Sequence, residues 1–306
     1  MTGAGGQIGG ELVDALKQVN NIVYASDIAV PENPPENFIQ LDVLDKERMR
    51  QVIEDYEIEE IFHLAAILSA KGEENPMLAW RVNLESVLTV LELASEYKLF
   101  KVFIPSSIAI FGPDTPKENT PQVTITDPDT VYGITKLAGE RWCRYYSLKK
   151  NVDVRSLRFP GLIGYKSMPG GGTTDYAVDI FHQALEKGHY DCYISEDTPM
   201  PMMYMPDAIR ATVELLQAPA ERIRIRSSYN LAAMSFTPKQ IAAEIQKHIP
   251  DFTISYKPDF RNEIAKSWPS SIDDSIARKD WDWQHEYNLE KMVVDMLTRL
   301  REKNRT

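Results

Sequence analysis

A tyrosine and a lysine stand four positions apart in the run Tyr132-Gly133-Ile134-Thr135-Lys136. Residues at this spacing in a helix lie on the same face and reach the same cleft. An unperturbed tyrosine has a pKa of about 10, and a nearby ammonium favours the phenolate. We therefore predict an acid–base site in which Lys136 lowers the pKa of Tyr132.

A serine upstream of this pair completes a set of three polar side chains. Ser106-Ser107 directly follows the strand-like run from Lys101 to Pro105. Alone, Ser107 is better interpreted as a turn hydroxyl at the end of a strand. Together with Tyr132 and Lys136 it is predicted to take part in proton transfer by hydrogen-bonding a substrate oxygen.

The start of the chain carries a glycine-rich turn, Thr2-Gly3-Ala4-Gly5-Gly6-Gln7-Ile8-Gly9, before an amphipathic helix. Such a turn brings backbone amides and a helix N-terminus to a pyrophosphate. Asp27 follows 18 residues after Gly9, where a carboxylate accepts hydrogen bonds from both ribose hydroxyls of NAD and repels the 2′-phosphate of NADP. No arginine immediately follows Asp27, so NAD is the predicted cofactor. The simpler alternative is a helix-entry turn and an unrelated strand-end acid.

The strand expected before the first glycine is very short. A dinucleotide-binding fold needs an apolar central strand there, and only Met1 and Thr2 precede Gly3. Either the sequence lacks a few natural residues, or the sheet tolerates a vestigial first strand; the residues themselves leave both alternatives open.

The elements that must position these groups alternate as in a parallel sheet with crossover helices. The strand-like runs are 21–28, 38–41, 60–64, 101–105, 152–159 and 229–231. The helical patterns are 9–19, 46–56, 76–97 and 132–149. We therefore predict an α/β protein with a Rossmann-type, doubly wound parallel sheet.

Beyond residue 161 the alternation stops, which predicts a smaller, mostly helical C-terminal substrate lobe. Two Met/Pro/Gly-rich passages, 167–172 and 199–206, are interpreted as loops that line a site. Two helices are expected at 237–248 and 289–303. The predicted NAD-binding domain covers 1–165, with 202–235 returning to it, and the substrate lobe covers 166–201 and 236–306.

Composition excludes several classes of function. A net charge of −11 argues against a nucleic-acid or anionic-membrane surface. Two cysteines and five scattered histidines give little support for a metal site. We expect no signal peptide and no membrane span, because the apolar runs are too short, and the few cysteines favour a reducing cytoplasm.

The combined motifs resemble the extended short-chain dehydrogenase/reductases over the whole chain. Besides the residues above, the resemblance rests on Leu41-Asp42-Val43, His63-Leu64-Ala65-Ala66, Asn83 and Arg158-Phe159-Pro160-Gly161. It implies a set of NAD-binding residues comprising Gly3, Gly6, Gln7, Ile8, Asp27, Asp42, Val43, Leu64, Ala65, Ala66, Asn83, Tyr132, Lys136, Pro160 and Leu162. His63 is then better interpreted as a packed strand residue than as a functional one.

Within that superfamily, long strings such as 104–113, 169–177, 202–205 and 233–238 are similar to the L-threonine 3-dehydrogenase family. The resemblance implies NAD-dependent oxidation of L-threonine at C3 to 2-amino-3-oxobutyrate, with Tyr132 as base, Ser107 orienting the hydroxyl, and Lys136 tuning Tyr132 and binding ribose. The implied substrate pocket comprises Ser69, Ser107, Tyr132, Thr173, Thr174 and Trp268.

Two rival functions remain. A nucleotide-sugar epimerase or dehydratase uses the same three catalytic residue types, and Arg222, Arg224 and Arg226 could bind its diphosphate. A non-catalytic NAD-binding protein would be expected to have lost part of the catalytic set. The partner is a small molecule in the leading interpretation, and both a homodimer and a monomer are compatible with the sequence.

Overall fold

The computed structural model describes residues 1–19, 22–170 and 172–303. Its α-helices are α1 Gln7–Gln18, α2 Lys46–Asp55, α3 Ser69–Glu74, α4 Pro76–Trp80, α5 Ser86–Tyr97, α6 Val131–Lys150, α7 Tyr176–Lys187, α8 Met205–Gln217, α9 Pro238–Gln246, α10 Phe260–Ser267, α11 Ser275–Trp281 and α12 Leu289–Lys303. A π-helical segment, Arg81–Glu85, joins α4 to α5, and short 3₁₀ turns cover Ile108–Ile110, Thr173–Asp175 and Ala220–Arg222.

The strands are short and mostly parallel. They are β1 Ala25–Asp27, β2 Phe38–Gln40, β3 Glu60–Phe62, β4 Lys101–Phe103, β5 Ser106–Ser107, β6 Val154–Arg155, β7 Leu157–Phe159, β8 Gly161–Ile163, β9 His189–Cys192, β10 Met200–Tyr204, β11 Tyr229–Asn230, β12 Met234–Phe236 and β13 Thr253–Tyr256.

A single parallel sheet runs through the N-terminal part of the chain. β1 pairs with β2, β4 lies between β3 and β6, and β7 lies between β5 and β11, all in parallel. Because β5 continues the line of β4 and β7 that of β6, these ladders form one sheet. The predicted Rossmann-type fold is confirmed.

Thr2 occupies the place of the expected central strand, next to the glycine turn. Thr2 bridges Ser26 of β1 on one side and His63, at the end of β3, on the other. Its amide donates to the Phe62 carbonyl at 2.9 Å, and its carbonyl accepts from the Leu64 amide at 3.1 Å. Thr2 therefore joins both neighbouring strands and places the glycine turn at the carboxyl edge of the sheet.

Helices cover both faces of the sheet. One apolar cluster packs α1, α8 and α11 against the strands, and its largest buried side chains include Trp283 and Tyr229. A second cluster packs α2, α5 and α6 against β3, β4 and β6. This two-sided burial explains why the strand sequences read as continuous apolar runs.

A second group of elements, most of them from the C-terminal half, builds the smaller lobe. β10 pairs in parallel with β8 and antiparallel with β12, while β9 pairs with β13. Helices α7, α9 and α12 pack around these strands in a third apolar cluster. The mostly helical lobe is confirmed, although the exact division of the chain into two domains stays a prediction.

The passage 199–206 is not a loop, so that prediction is wrong. It forms the fully buried strand β10 and the first residues of α8. Its methionines and prolines gave no alternation of polar and apolar residues, because every position of β10 is buried. None of the residues that line the main cleft comes from this passage.

In the described part of the chain, none of the helices combines the length and the apolar character that crossing a lipid bilayer requires.

Candidate active site

A cleft of about 240 Å³ lies at the carboxyl edge of the parallel sheet. Its walls come from the glycine turn, the residues after β3, the segment around β5, the start of α6, β8 and the 173–175 turn. The predicted site residues that line it are Gly3, Gly6, Gln7, Ile8, Leu64, Ala66, Ser69, Ser107, Tyr132, Lys136, Pro160, Leu162, Thr173, Thr174 and Trp268. Residues predicted from separate motifs therefore meet in one place.

The first turn of α6 is positioned against the turn that follows Ser107. Thr130 caps the helix by accepting from the Gly133 amide at 3.1 Å. A Cβ on Gly133 would lie 2.1 Å from the Ala109 carbonyl oxygen, so only glycine permits this approach. The close packing brings Tyr132 to Ser107.

The three catalytic candidates are in contact range. Ser107 hydrogen-bonds the Tyr132 hydroxyl, and the bond favours the phenolate. The Lys136 ammonium lies 5.6 Å from the Tyr132 ring centroid and donates to the Pro105 carbonyl at 2.9 Å. A phenol, a hydroxyl and an ammonium thus face one small volume.

Desolvation controls the ionisation of Tyr132 and Lys136. Both side chains are half-buried in the cleft. Burial raises the pKa of Tyr132 to about 12, and the Ser107 hydrogen bond opposes it. Burial also lowers the pKa of Lys136 to about 8. The expected lowering of the Tyr132 pKa is wrong, because the desolvation cost exceeds what the neighbouring groups supply.

A buried ion pair anchors α6, the helix that carries Tyr132 and Lys136. Glu140 lies one turn after Lys136 on α6 and receives a bidentate pair of hydrogen bonds from Arg158 of β7, both at 2.8 Å. Ser106 donates to the same carboxylate at 2.6 Å. Arg158 also donates to the Asn230 side chain at 3.0 Å. One carboxylate thereby ties α6 to β5 and β7.

The glycine turn fits a dinucleotide. Gly3 has φ of +68°, and a Cβ there would lie 2.5 Å from the Ala65 amide nitrogen. Gly6 caps α1 without any side chain, so the N-terminal amides of the helix border the cleft. These features form an anion site of the kind a pyrophosphate uses.

Five predicted cofactor residues are placed outside the lining of the cleft: Asp27, Asp42, Val43, Ala65 and Asn83. The Asp27 carboxylate lies beside the glycine turn and accepts from the Gly5 amide at 2.9 Å. Asp42 is exposed and Val43 is buried at the end of the neighbouring strand, where an adenosine would extend along the sheet edge.

Asn83 acts on the backbone of the cleft. It lies in the π-helical segment, is 2% exposed, and makes hydrogen bonds of 2.7 and 2.9 Å with the amide and carbonyl of Ile67. It therefore holds the chain that follows Leu64 to Ala66. His63 is packed as expected, with its ring nitrogens 2.8 Å from the hydroxyls of Thr2 and Ser86.

The substrate side of the cleft is built from small hydroxyls and one indole. The Ser69 and Thr173 hydroxyls lie 3.3 Å apart. Trp268 is 7% exposed and packs on Ile108 and Ile110 while facing the cleft, so it is both core and wall. In the predicted 167–172 loop, Gly171 lies outside the described residues.

Several lining residues were not predicted from the sequence. Leu68, Ile108 and Asp175 contribute to the cleft walls. Asp175 accepts from the Gly172 amide at 2.8 Å and shapes the turn that carries Thr173 and Thr174. The sequence feature that could have indicated these residues is their position next to a recognised motif residue. Neighbours of polar site residues commonly complete a pocket.

The arginines of the rival interpretation are engaged elsewhere. Arg222 pairs with Asp282 at 2.8 Å, Arg224 with Asp280 and Arg226 with Asp153. None of the three is among the residues that line the cleft. Within the described ranges, no group of three or more His, Cys, Asp or Glu residues is arranged to hold a metal.

A model of the NAD dependent epimerase/dehydratase family matches residues 1–232. The chain belongs to this family. Membership agrees with the glycine turn and the carboxylate beside it, and it confirms the prediction of NAD as the cofactor.

Similar structures narrow the comparison within the NAD dependent epimerase/dehydratase family. A GalE-like L-threonine dehydrogenase from Cupriavidus necator, in its holo form, is 53% identical, with 98% of each chain covered and a TM-score of 0.95. A monomeric L-threonine 3-dehydrogenase from a metagenome is 48% identical, with 99% of this chain and 98% of that chain covered and a TM-score of 0.97. An uncharacterised epimerase/dehydratase of Staphylococcus haemolyticus is 49% identical over 310 residues, covering 99% of this chain and 97% of the relative. The resemblance to L-threonine 3-dehydrogenases is confirmed.

Proposed function

We propose that the protein is an NAD-dependent L-threonine 3-dehydrogenase that oxidises C3 of L-threonine and releases 2-amino-3-oxobutyrate, NADH and a proton. The observation that carries the proposal is the meeting of Ser107, Tyr132 and Lys136 in one cleft beside the glycine turn. Full-length similarity to two threonine dehydrogenase structures supports the choice of substrate.

The residues divide the chemistry among them. Tyr132, as phenolate, accepts the proton of the C3 hydroxyl, and Ser107 hydrogen-bonds the same oxygen. Lys136 contributes the positive charge that favours the phenolate and binds the nicotinamide ribose. When bound, NAD supplies the acceptor for the C3 hydride.

The dimensions and polarity of the cleft favour a small amino acid. Ser69, Thr173 and Thr174 offer hydroxyls for a carboxylate and an ammonium, and Trp268 closes the space with an apolar wall. The cleft of about 240 Å³ would be shared by part of the cofactor and the substrate, so the space left for the substrate suits a small molecule.

The rival nucleotide-sugar function needs side chains that bind a diphosphate. Because Arg222, Arg224 and Arg226 are paired with aspartates away from the cleft, they are poor candidates for that task. A purely NAD-binding role is disfavoured because Ser107, Tyr132 and Lys136 are all present and line the same cleft.

The proposal is tested by following NADH absorbance with purified protein, NAD and a panel of β-hydroxy amino acids and UDP-sugars. L-Threonine should produce NADH, and mass spectrometry should detect 2-amino-3-oxobutyrate or its decarboxylation product. Turnover of UDP-sugars with no turnover of threonine would replace the proposal with the epimerase interpretation.

A further inference from the structure

Lys117 is a half-buried lysine outside the cleft whose described hydrogen bonds are to backbone carbonyls. Its ammonium donates to the Gly112 carbonyl at 2.9 Å and to the Ser267 carbonyl at 2.5 Å. Burial lowers the pKa of Lys117, while Asp127 and Asp114 oppose the shift. A half-buried ammonium held by neutral carbonyls loses part of its hydration, so its position is set by those two carbonyls.

Ser267 is the last residue of α10, and Trp268 follows it directly. The final carbonyls of a helix have no partner within the helix, and an ammonium there also complements the negative end of the helix dipole. The Lys117 side chain therefore fixes the point at which the chain leaves α10 and enters the wall of the cleft.

The backbone of Lys117 holds the other side of Trp268. Its carbonyl accepts from the Ser270 amide and from the Ser270 hydroxyl, both at 2.8 Å. Lys117 thus forms hydrogen bonds with Ser267, before the indole, and with Ser270, after it. Trp268 and Pro269 lie between these two residues.

The other side-chain hydrogen bond of Lys117, to the Gly112 carbonyl, connects the 267–270 segment to the segment that begins at Ser107. Gly112 follows the turn Ile108–Ile110, which begins at Ser107. The same turn supplies the apolar surface on which Trp268 packs. Lys117 is thus bonded both to the segment that carries the indole and to the segment that begins at Ser107, while Asn119 and Thr120 hold the chain only further on, at Ser271 and beyond.

We propose that Lys117 is a positioning residue that fixes Trp268 against the Ser107 segment and thereby sets affinity and selectivity for the amino-acid substrate. The inference rests on the proposed function for the identity of that substrate. Lys117 itself is not among the residues lining the cleft. A small substrate is sensitive to the position of its wall, because displacements near 1 Å degrade both binding and alignment.

The kinetic test compares Lys117→Met, which keeps the aliphatic stem, with Lys149→Met, an exposed lysine in the last turn of α6. Lys117→Met should raise KM for L-threonine about tenfold and leave KM for NAD within about twofold. Lys117→Arg, which retains donors for both carbonyls, should return KM for threonine to within about threefold of the unsubstituted protein. A parallel loss for NAD and threonine would overturn the proposal.

A double-mutant cycle tests whether Lys117 acts through the indole. In a Trp268→Phe background, Lys117→Met should add little further effect on KM, since coupled residues are not additive. Selectivity for threonine over serine should fall in both single variants. Fully additive effects would show that Lys117 acts by another route and would overturn the proposal.

Acrylamide quenching gives a measurement that does not depend on turnover. The contribution of Trp268 to the fluorescence is obtained by difference. Each protein is measured with Trp268 and again with Trp268→Phe, and the second signal is subtracted from the first. Lys117→Met should make that contribution about twofold more quenchable, because the indole loses its fixed packing; unchanged quenching would overturn the proposal. Absence of threonine oxidation by the unsubstituted protein would reject the proposed function, while the quenching result would still decide the role of Lys117.

Discussion

At the scale of single residues, the cleft places two groups whose ionisation is shifted in opposite directions by the same cause. Loss of water raises the pKa of Tyr132 to about 12 and lowers that of Lys136 to about 8. The reactive combination needs a phenolate beside an ammonium. Because Tyr132 titrates above Lys136, this combination is a minority state at every pH.

The population of that state gives a defined pH profile. Below pH 8 the fraction of protein with a Tyr132 phenolate and a Lys136 ammonium grows about tenfold per pH unit, because the phenol loses its proton. Above pH 8 this fraction stays constant, because Lys136 loses its proton as fast as further phenolate forms. We therefore predict that kcat/KM for L-threonine rises steeply up to about pH 8 and then levels off. Initial rates of NADH formation from about pH 6 to about pH 9 measure this profile.

A lysine variant is the control for the residue assignment. Lys136→Met should lower activity at all pH values and remove the change of slope near pH 8, because the titrating ammonium is gone. A change of slope that survives in Lys136→Met would assign it to a different group.

At the scale of elements, the position of α6 against the sheet depends on a buried carboxylate. Glu140 and Arg158 have side chains that are 0% and 5% exposed, and they connect α6 with β7. Glu140→Gln would leave the guanidinium without its counter-charge and should destabilise the fold by about 3 kcal/mol. Urea unfolding measures this change.

The matched control is an ion pair on the surface. Glu92 pairs with Lys46 at 2.7 Å, with both side chains substantially exposed. Glu92→Gln should change the free energy of unfolding by less than about 1 kcal/mol. Equal effects of the two substitutions would contradict the anchoring role of Glu140.

Two adjacent glycines of α1 offer a test of the cofactor turn. A Cβ on Gly9 would lie 2.3 Å from the Gly3 carbonyl oxygen, whereas the nearest atom to a Cβ on Gly10 is 3.9 Å away. Gly9→Ala should weaken NAD binding by at least about tenfold, because backbone atoms of the turn must move. Titration of NAD by intrinsic fluorescence measures the dissociation constant.

Gly10→Ala should leave NAD binding unchanged and stabilise the protein by about 0.5–1 kcal/mol, since alanine is the better helix residue at an exposed position. Unchanged NAD affinity in Gly9→Ala would show that the close approach of helix and turn is not needed for binding.

The sequence was informative where elements show a clear period. Helix α12 was predicted with its observed bounds, and α2 and α6 to within a residue at each end. Strand β10 was missed because burial on all sides removes alternation. Helices α10 and α11 were missed because they are short and polar, and their stability comes from tertiary packing that local sequence does not reveal.

At the scale of the whole molecule, the parallel sheet brings together residues from distant parts of the chain. Ser107, Tyr132 and Thr173 come from separate motifs and meet because each follows or faces the carboxyl edge of the sheet. This convergence was predictable from the motifs and the fold class. The hydrogen bond from Lys117 to Ser267, next to Trp268, was not predictable. It joins residues 150 positions apart, and no periodic pattern in the sequence indicates it.

We infer that the protein oxidises L-threonine with Tyr132 as the base. The most direct test compares NADH formation and NAD binding in the unsubstituted protein and in Tyr132→Phe, which removes one hydroxyl. Tyr132→Phe should bind NAD with an unchanged dissociation constant and lose at least about 99% of turnover, in keeping with the contribution of a positioned base. Substantial threonine oxidation by Tyr132→Phe would contradict the account.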